Sequence, residues 1–246
     1  MFSEIDAIVV REVEYKETDK ILTVISRQEG CLTVSARGAR KQGSPHAAAS
    51  QLLSRSSMVL SEYRQRLTLR EADLTESFPA LRGDLEKMAL AAYIAEVAAA
   101  LMPEGQPSPE LFELTLSALQ ALAGSKRDPL IVKGAFELAA MCLAGYAPDL
   151  GKCAVCGKET GTMALDLAGG RVSCLECADG AGAAITSGVL DALRFVSGRA
   201  AAKPFSFTLS TADTALFSRV CERYLLAQTD KLFYQLDFYK GLTGRI

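Results

Sequence analysis

The chain has 246 residues, 49% of them apolar and 23% charged, with 27 bases against 29 acids. These are globular proportions, which exclude bulk disorder and suffice for one or two domains with a real core. The single histidine, His46, excludes any multi-histidine metal site, and the longest apolar stretch, Met88 to Met102, is interrupted by Glu96 and stops at Pro103, short of the ~18–20 apolar residues of a membrane span.

The opening residues, Met1-Phe2-Ser3-Glu4-Ile5-Asp6, carry acids where a signal peptide needs bases. A cytoplasmic protein without membrane contact is expected. Short strands follow. Ile5 to Arg11 and Lys20 to Ser26 are apolar and β-branched. Arg27 to Gly30 reads as a turn, with Gly30 available for a positive φ. Cys31 to Ala36 then alternates, with Leu32, Val34 and Ala36 on one face and Thr33 and Ser35 on the other. A longer connection runs from Arg37 to Ser57. Met58 to Tyr63 and Leu67 to Leu74 supply two more strands, joined near Arg64-Gln65. Five short strands in residues 1–80 fit a small barrel such as an OB-fold, and periodicity alone leaves an SH3-like barrel open.

After Pro79 the period changes. Leu85, Met88, Ala89, Ala92, Tyr93, Val97 and Leu101 form a helical stripe. Ser108-Pro109 and Asp128-Pro129 are helix starts, a capping side chain followed by proline at the first helical position. The helices they open run to Gly124 and to about Gly145. Thr186 or Ser187 opens another helix, and Ser210 to Asp213 matches a capping box before a long one. Gly180 to Ala184 reads as a short linker. The expected organisation is α+β and multidomain: a five-stranded barrel over 1–80, an all-helical domain in two parts over 81–147 and 185–246, and a Cys-rich insertion over 148–184.

Four of the seven cysteines carry that insertion. Cys153-Ala154-Val155-Cys156 and Cys174-Leu175-Glu176-Cys177 are separated by 17 residues, within the spacing of a four-cysteine zinc site. Two residues between cysteines let a tight turn aim both sulfurs at one ion. Gly157 follows the first pair, and Thr162 to Val172, with Gly169-Gly170 in its middle, reads as a hairpin. Four protein ligands leave no open coordination position, so such a Zn2+ would be structural. The competing reading is two redox CxxC motifs or unrelated pairs. Cys31, Cys142 and Cys221 sit in apolar patterns and read as core packing.

Charge is uneven. Residues 35–70 hold Arg37, Arg40, Lys41, Arg55, Arg64, Arg66 and Arg70 against Glu62 alone, a local net of +6. Residues 1–34 and 71–80 are each net −3. Arg37, Arg40 and Lys41 follow the third strand, with Gly38 between them to let a phosphate approach the backbone. On a barrel of this kind the adjoining face and loops take oligonucleotides. Tyr63 and Tyr15 are the few aromatics available for stacking, which favours backbone contacts over base reading. A solvated basic face balancing acidic flanks is the alternative. His46, beside Pro45, reads as an ordinary exposed residue. No phosphate-cradling loop, dinucleotide fingerprint or paired-carboxylate pattern is visible.

Taken together, Tyr15-Lys16-Glu17-Thr18-Asp19-Lys20-Ile21-Leu22, then Gly30, Ala36-Arg37-Gly38-Ala39-Arg40-Lys41, and Gly145-Tyr146-Ala147-Pro148 leading to Leu150 and Cys153-Ala154-Val155-Cys156-Gly157 resemble the RecO family of bacterial recombination mediators over nearly the whole chain. The resemblance implies an N-terminal OB-fold and a helical C-terminal domain, often with a zinc finger. It implies a non-enzyme of the cytoplasm and nucleoid that binds single- and double-stranded DNA, anneals strands, and loads recombinase with RecR and single-stranded DNA-binding protein. Arg37, Arg40, Lys41, Arg64, Arg66 and Arg70 would meet DNA, and Cys153, Cys156, Cys174 and Cys177 would hold zinc. The alternatives are a zinc-ribbon OB-fold enzyme, whose nucleotidyl lysine or carboxylate metal motif is not visible, and a pure protein-interaction module.

Overall fold

In the computed structural model, which describes residues 2–124 and 127–244, the N-terminal strands are β1 (Phe2–Tyr15), β2 (Asp19–Ser26), β3 (Gly30–Ala36), β4 (Arg55–Tyr63) and β5 (Arg66–Glu76). They close into a barrel in the order β1-β2-β3-β5-β4. Every neighbouring pair is antiparallel except β3 with β5. This order is that of the OB-fold and decides between the two barrels that periodicity left open. The interior is filled by alternate residues: Ile5, Ala7 and Val9; Leu22 and Val24; Leu32, Val34 and Ala36; Met58 and Leu60; Leu69. Period-two burial turns their neighbours outward.

β1 runs four residues further than the apolar pattern predicted, to Tyr15 instead of Arg11. Residues 11–15 are all exposed, yet they pair with β2 from Thr23 back to Asp19. The β1 half of this ribbon is held by backbone hydrogen bonds and by pairs such as Glu12 with Lys20, and exposed charged side chains leave no hydrophobic signature. The 37–54 connection contains turns and no regular strand or helix. Its end is stitched to β1, where Leu53 N–H donates to Val9 O at 2.8 Å and Val9 N–H to Ser54 O at 3.0 Å. His46 is half-buried there, not exposed as expected. Its carbonyl accepts from both the N–H and the hydroxyl of Ser50 (3.0 and 2.6 Å), and the resulting turn encloses the ring nitrogen Nδ1.

The helices α1 (Pro79–Arg82), α2 (Leu85–Leu101) and α3 (Pro109–Gly124) follow. Asp84 and Ser108 cap α2 and α3 through the N–H groups of Lys87 and Leu111. Together with the barrel and α8 (Tyr234–Thr243) they form one compact unit. Its joints are specific. Arg55 clamps Asp6 with two hydrogen bonds of 2.9 and 2.7 Å and lies over the Phe112 ring of α3. Glu96 on α2 accepts from the N–H groups of Tyr234 and Gln235, at the start of α8, where a carboxylate meets the positive end of the helix dipole.

A second compact unit spans 127–233. It holds α4 (Pro129–Leu143), β6 (Met163–Asp166), β7 (Arg171–Cys174), α5 (Leu175–Ala178), β8 (Ala183–Ile185), α6 (Ser187–Ser197) and α7 (Thr211–Thr229). Asp128, Thr186 and Ser210 cap α4, α6 and α7 through side-chain oxygens. The three strands form a small sheet in the order β7-β6-β8. β8 overlaps the stretch expected to be a linker: Ala183, Ala184 and Ile185 pair with Leu165, Ala164 and Met163. Small side chains mask a strand whose partners are backbone groups. The predicted core role of the three scattered cysteines holds fully for Cys221, which is buried, while Cys31 and Cys142 are half-buried. Burial pushes all three thiols above their ordinary pKa.

Inside this unit α4 carries a lysine that is 2% exposed, Lys133, paired with Glu137 at 2.7 Å and with Glu222 of α7 at 2.8 Å. Burial alone would pull its pKa down; the two carboxylates outweigh it and hold the ammonium above its usual range. Removing the cation leaves carboxylates buried against each other. Lys133→Met is therefore expected to destabilise the unit by about 3–5 kcal/mol, read as a lower urea midpoint, and Lys133→Met with Glu137→Gln should recover part of that loss.

Candidate nucleic-acid face and metal centre

The basic residues expected from the sequence fall into two groups on the barrel. Arg37, Arg40 and Lys41 lie in the turn after β3, and Arg64, Arg66 and Arg70 lie on the β4–β5 hairpin. Parallel pairing of Val34 with Leu67 and Ser35 with Thr68 sets the two groups against each other. In that direction the end of β3, and the turn that begins at Arg37, lie toward the Arg70 end of β5, while Arg66 lies toward the start of β3. Between them the outward positions form a continuous row across four strands. Ser35 pairs with Thr68, Thr68 with Ser61, and Ser61 with Phe2. A bulge at Arg70, where register shifts between Val59 and Leu60, keeps that arginine on the same face, and its Nε donates to Ser61 Oγ at 2.7 Å.

The six bases differ in what already holds them. Arg37, Lys41 and Arg66 are exposed and make no ion pair among the described residues. Arg40 is engaged: its guanidinium meets Glu14 at 2.9 Å and the carbonyl of Glu17 at 3.2 Å. Its own N–H donates to Thr18 O. Arg64 lies over the Tyr63 ring, 5.2 Å from its centroid. Gly38 takes the positive φ of the turn, +66°, but its N–H is occupied by Asp19 Oδ1 at 2.8 Å. It therefore does not offer the phosphate approach that the sequence suggested; it anchors the basic turn to the start of β2. The sequence reading missed the hydroxyl row and Phe2. Their signal was the polar half of the same alternation that located the core.

The four cysteines are brought together. Their Sγ atoms all lie within 4.8 Å of one another, with 3.9 Å between Cys153 and Cys174 and 3.6 Å between Cys156 and Cys174. A tetrahedral ion with bonds of ~2.3 Å requires sulfurs about 3.8 Å apart. Gly157, at φ +77°, closes the first turn with N–H to Cys153 O at 3.0 Å. Cys174 ends β7 and Cys177 lies in the turn of α5. The N–H groups of Cys156, Cys174 and Val155 lower the Cys153 thiol to about 5, while hydrogen bonding to the sulfurs of Cys174, Cys156 and Cys153 pushes Cys177 up to about 12. One sulfur is thus poised as thiolate and its neighbour resists a second charge, a conflict that a soft dication removes. The donor set fits zinc, and among the described residues it is the one cluster suited to a metal.

The module is tied to its helices by residues that the sequence did not single out. Arg194 of α6 donates to the carbonyls of Leu150, Gly151 and Glu159 at 2.7–3.0 Å. Gln228 of α7 donates to Leu167 and Ala168 O, and the Tyr224 hydroxyl to Tyr146 O. Among the described residues, no helix is long and apolar enough to cross a membrane.

Comparison with known proteins matches residues 1–78 to the family "Recombination protein O N terminal" and residues 82–234 to "Recombination protein O C terminal". A DNA repair protein RecO from Acetivibrio thermocellus is 31% identical over 238 residues, covering 96% of this chain and 95% of that protein. Its counterpart from Symbiobacterium thermophilum is 33% identical over 245 residues, covering 97% and 96%. That of Pelotomaculum thermopropionicum is 41% identical over 151 residues, covering 61% and 58%.

Asp19 supplies a pH test of the basic turn. The Gly38 N–H holds its carboxyl below the usual aspartate range, with smaller help from Thr18, Lys16 and Arg37 against the opposing effect of burial. A depressed folded-state pKa stabilises above the ordinary value of ~3.9 and is lost as pH falls through the lower folded value. The Gly38 amide resonance should therefore titrate with a midpoint below ~3.9, and Asp19→Asn should abolish that titration.

Proposed function

The chain belongs to the RecO family of DNA repair proteins, and from that membership we propose that it is a recombination mediator. It binds single- and double-stranded DNA on its barrel, anneals complementary strands, and works with RecR and single-stranded DNA-binding protein to load recombinase. One observation supports this most: a +6 segment in a −2 chain borders a hydroxyl-lined barrel face with Arg37, Lys41 and Arg66 exposed and without ion pairs among the described residues. Phosphate neutralisation needs free cations near polar donors. In this reading Arg37, Lys41, Arg66 and Arg70 take phosphates. Arg40 and Arg64 add to the field while holding the turn and the Tyr63 ring. Residues 1–80 are the DNA-binding part, with 81–147 and 185–246 the helical body that carries partner surfaces and 148–184 the zinc insertion. The protein works in the cytoplasm on the nucleoid and is not an enzyme: it screens two polyanions so that strands can pair.

A protein of this kind has a salt signature. Neutralising Z phosphates on single strands gives a log–log slope of about −0.7Z. Replacing Arg37, Lys41 and Arg66 with alanine should flatten the slope by roughly 2 and weaken binding on every sequence alike, with annealing reduced in parallel. Arg40→Ala should act through the turn and shift the Gly38 amide. An unchanged slope in a folded triple variant would show the segment to be a solvated face only.

The zinc reading is tested separately. One Zn2+ per chain, held by Cys153, Cys156, Cys174 and Cys177, is structural because the four thiolates fill a tetrahedron. Elemental analysis of protein purified without chelator should find one zinc. Cys153→Ser should release it and expose residues 148–184 to protease, while the barrel persists. Protein carrying four free thiols and no zinc would contradict the assignment.

A further inference from the structure

Phosphate contacts leave two aromatic rings on the barrel face unexplained. Phe2 is 72% exposed and Tyr63 is 71% exposed. Both occupy outward positions. Inward Ile5, Ala7 and Val9 turn Phe2 away from the interior, and inward Met58 and Leu60 do the same for Tyr63. Phe2 pairs with Ser61, two residues before Tyr63 on the same face of β4, so the two rings are diagonal neighbours. Such neighbours lie about 7–8 Å apart on a sheet, close to twice the ~3.4 Å rise between stacked bases. At that spacing of backbone positions the two rings are close enough to serve one strand, each offering a face to a base.

The surroundings match an unpaired strand. Arg64 lies over Tyr63, Arg66 pairs with it across the hairpin, and Arg70 holds Ser61 beside Phe2. Single exposed apolar residues are ordinary on a protein surface. Two rings on one diagonal, at the end of a hydroxyl row and among three arginines, have the composition of a stacking platform with an electrostatic guide. We infer that Phe2 and Tyr63 stack on unpaired bases and that this stacking makes the barrel face prefer single strands to duplex. In a duplex each base is already covered by its neighbours, so only the arginines remain useful. This inference rests on the DNA-binding reading above and adds the class of strand that the face selects.

The test uses the full chain and the double variant Phe2→Leu/Tyr63→Leu, with a thymidine oligomer, an abasic strand of the same length and a duplex across a salt series. Both side chains are exposed and leucine keeps their apolar character, so the thermal midpoint should not move. Affinity for the oligomer should fall tenfold or more, about what loss of base stacking gives. Binding to abasic strand and duplex should stay within about twofold, with an unchanged salt slope because no phosphate contact is removed. A 2-aminopurine placed along the oligomer should change its emission on binding the unaltered chain. A loss below about twofold on the oligomer, an equal loss on all three ligands, or constant 2-aminopurine emission at every position would overturn the stacking inference while leaving phosphate binding intact. An unaltered chain that binds none of the three ligands would remove the DNA reading itself, and the inference with it.

Discussion

Closure of the five-stranded barrel is the constraint on which the rest depends. An interior of Ile5, Val9, Leu22, Val34, Met58, Leu60 and Leu69 admits one residue of every two, so each buried side chain dictates where its neighbour points. Burying Val34 and Ala36 turns half-buried Ser35 and exposed Arg37 outward; packing Leu67 and Leu69 against the core turns exposed Arg66 and half-buried Thr68 outward. The parallel β3–β5 pairing then fuses two hairpins into one surface. A one-residue slip would turn the arginines inward and the leucines to water, so the hydrophobic core is also what fixes the register of the polar face.

The same face shows how a protein with an acidic total can present a basic surface. Acids and bases are sorted by whether they are already paired. Asp6 is clamped by Arg55, Glu14 by Arg40 and Asp19 by the Gly38 amide. These contacts set the shape of the turn and tie the loop to the β1–β2 ribbon. Such contacts contribute little stability where they are exposed, so their consequence is mainly geometric: among the described residues they leave Arg37, Lys41, Arg64, Arg66 and Arg70 without a carboxylate partner, Arg64 resting on the Tyr63 ring and Arg70 on the Ser61 hydroxyl. Within the other unit the four sulfurs do comparable work. They gather a short sheet and two tight turns around one point, and Arg194 binds that module to α6 through three carbonyls.

Most of the fold was legible because its signals are local. Proline after Ser108 and Asp128, and hydroxyl caps at Thr186 and Ser210, marked helix starts that the structure keeps. Two CxxC pairs announced their cluster by spacing alone. What stayed hidden was held by the backbone or by distant partners. The β1 ribbon beyond Arg11 and β8 pair through main-chain groups under charged or small side chains. The enclosure of His46 depends on a turn closed by Ser50, and the engagement of Gly38 on an aspartate nineteen residues away. The hydroxyl row from Ser35 to Phe2 draws on four strands, and no window of sequence contains it.

Where a strand lies on this protein can be read most directly by photo-cross-linking. A single strand carrying photoreactive thymidines, bound to the full chain at low salt and mapped by mass spectrometry, should attach to Phe2, to residues 33–41 and to residues 61–70. Cross-links confined to residues 127–233, or none at all under conditions where the strand is bound, would contradict a path across the barrel.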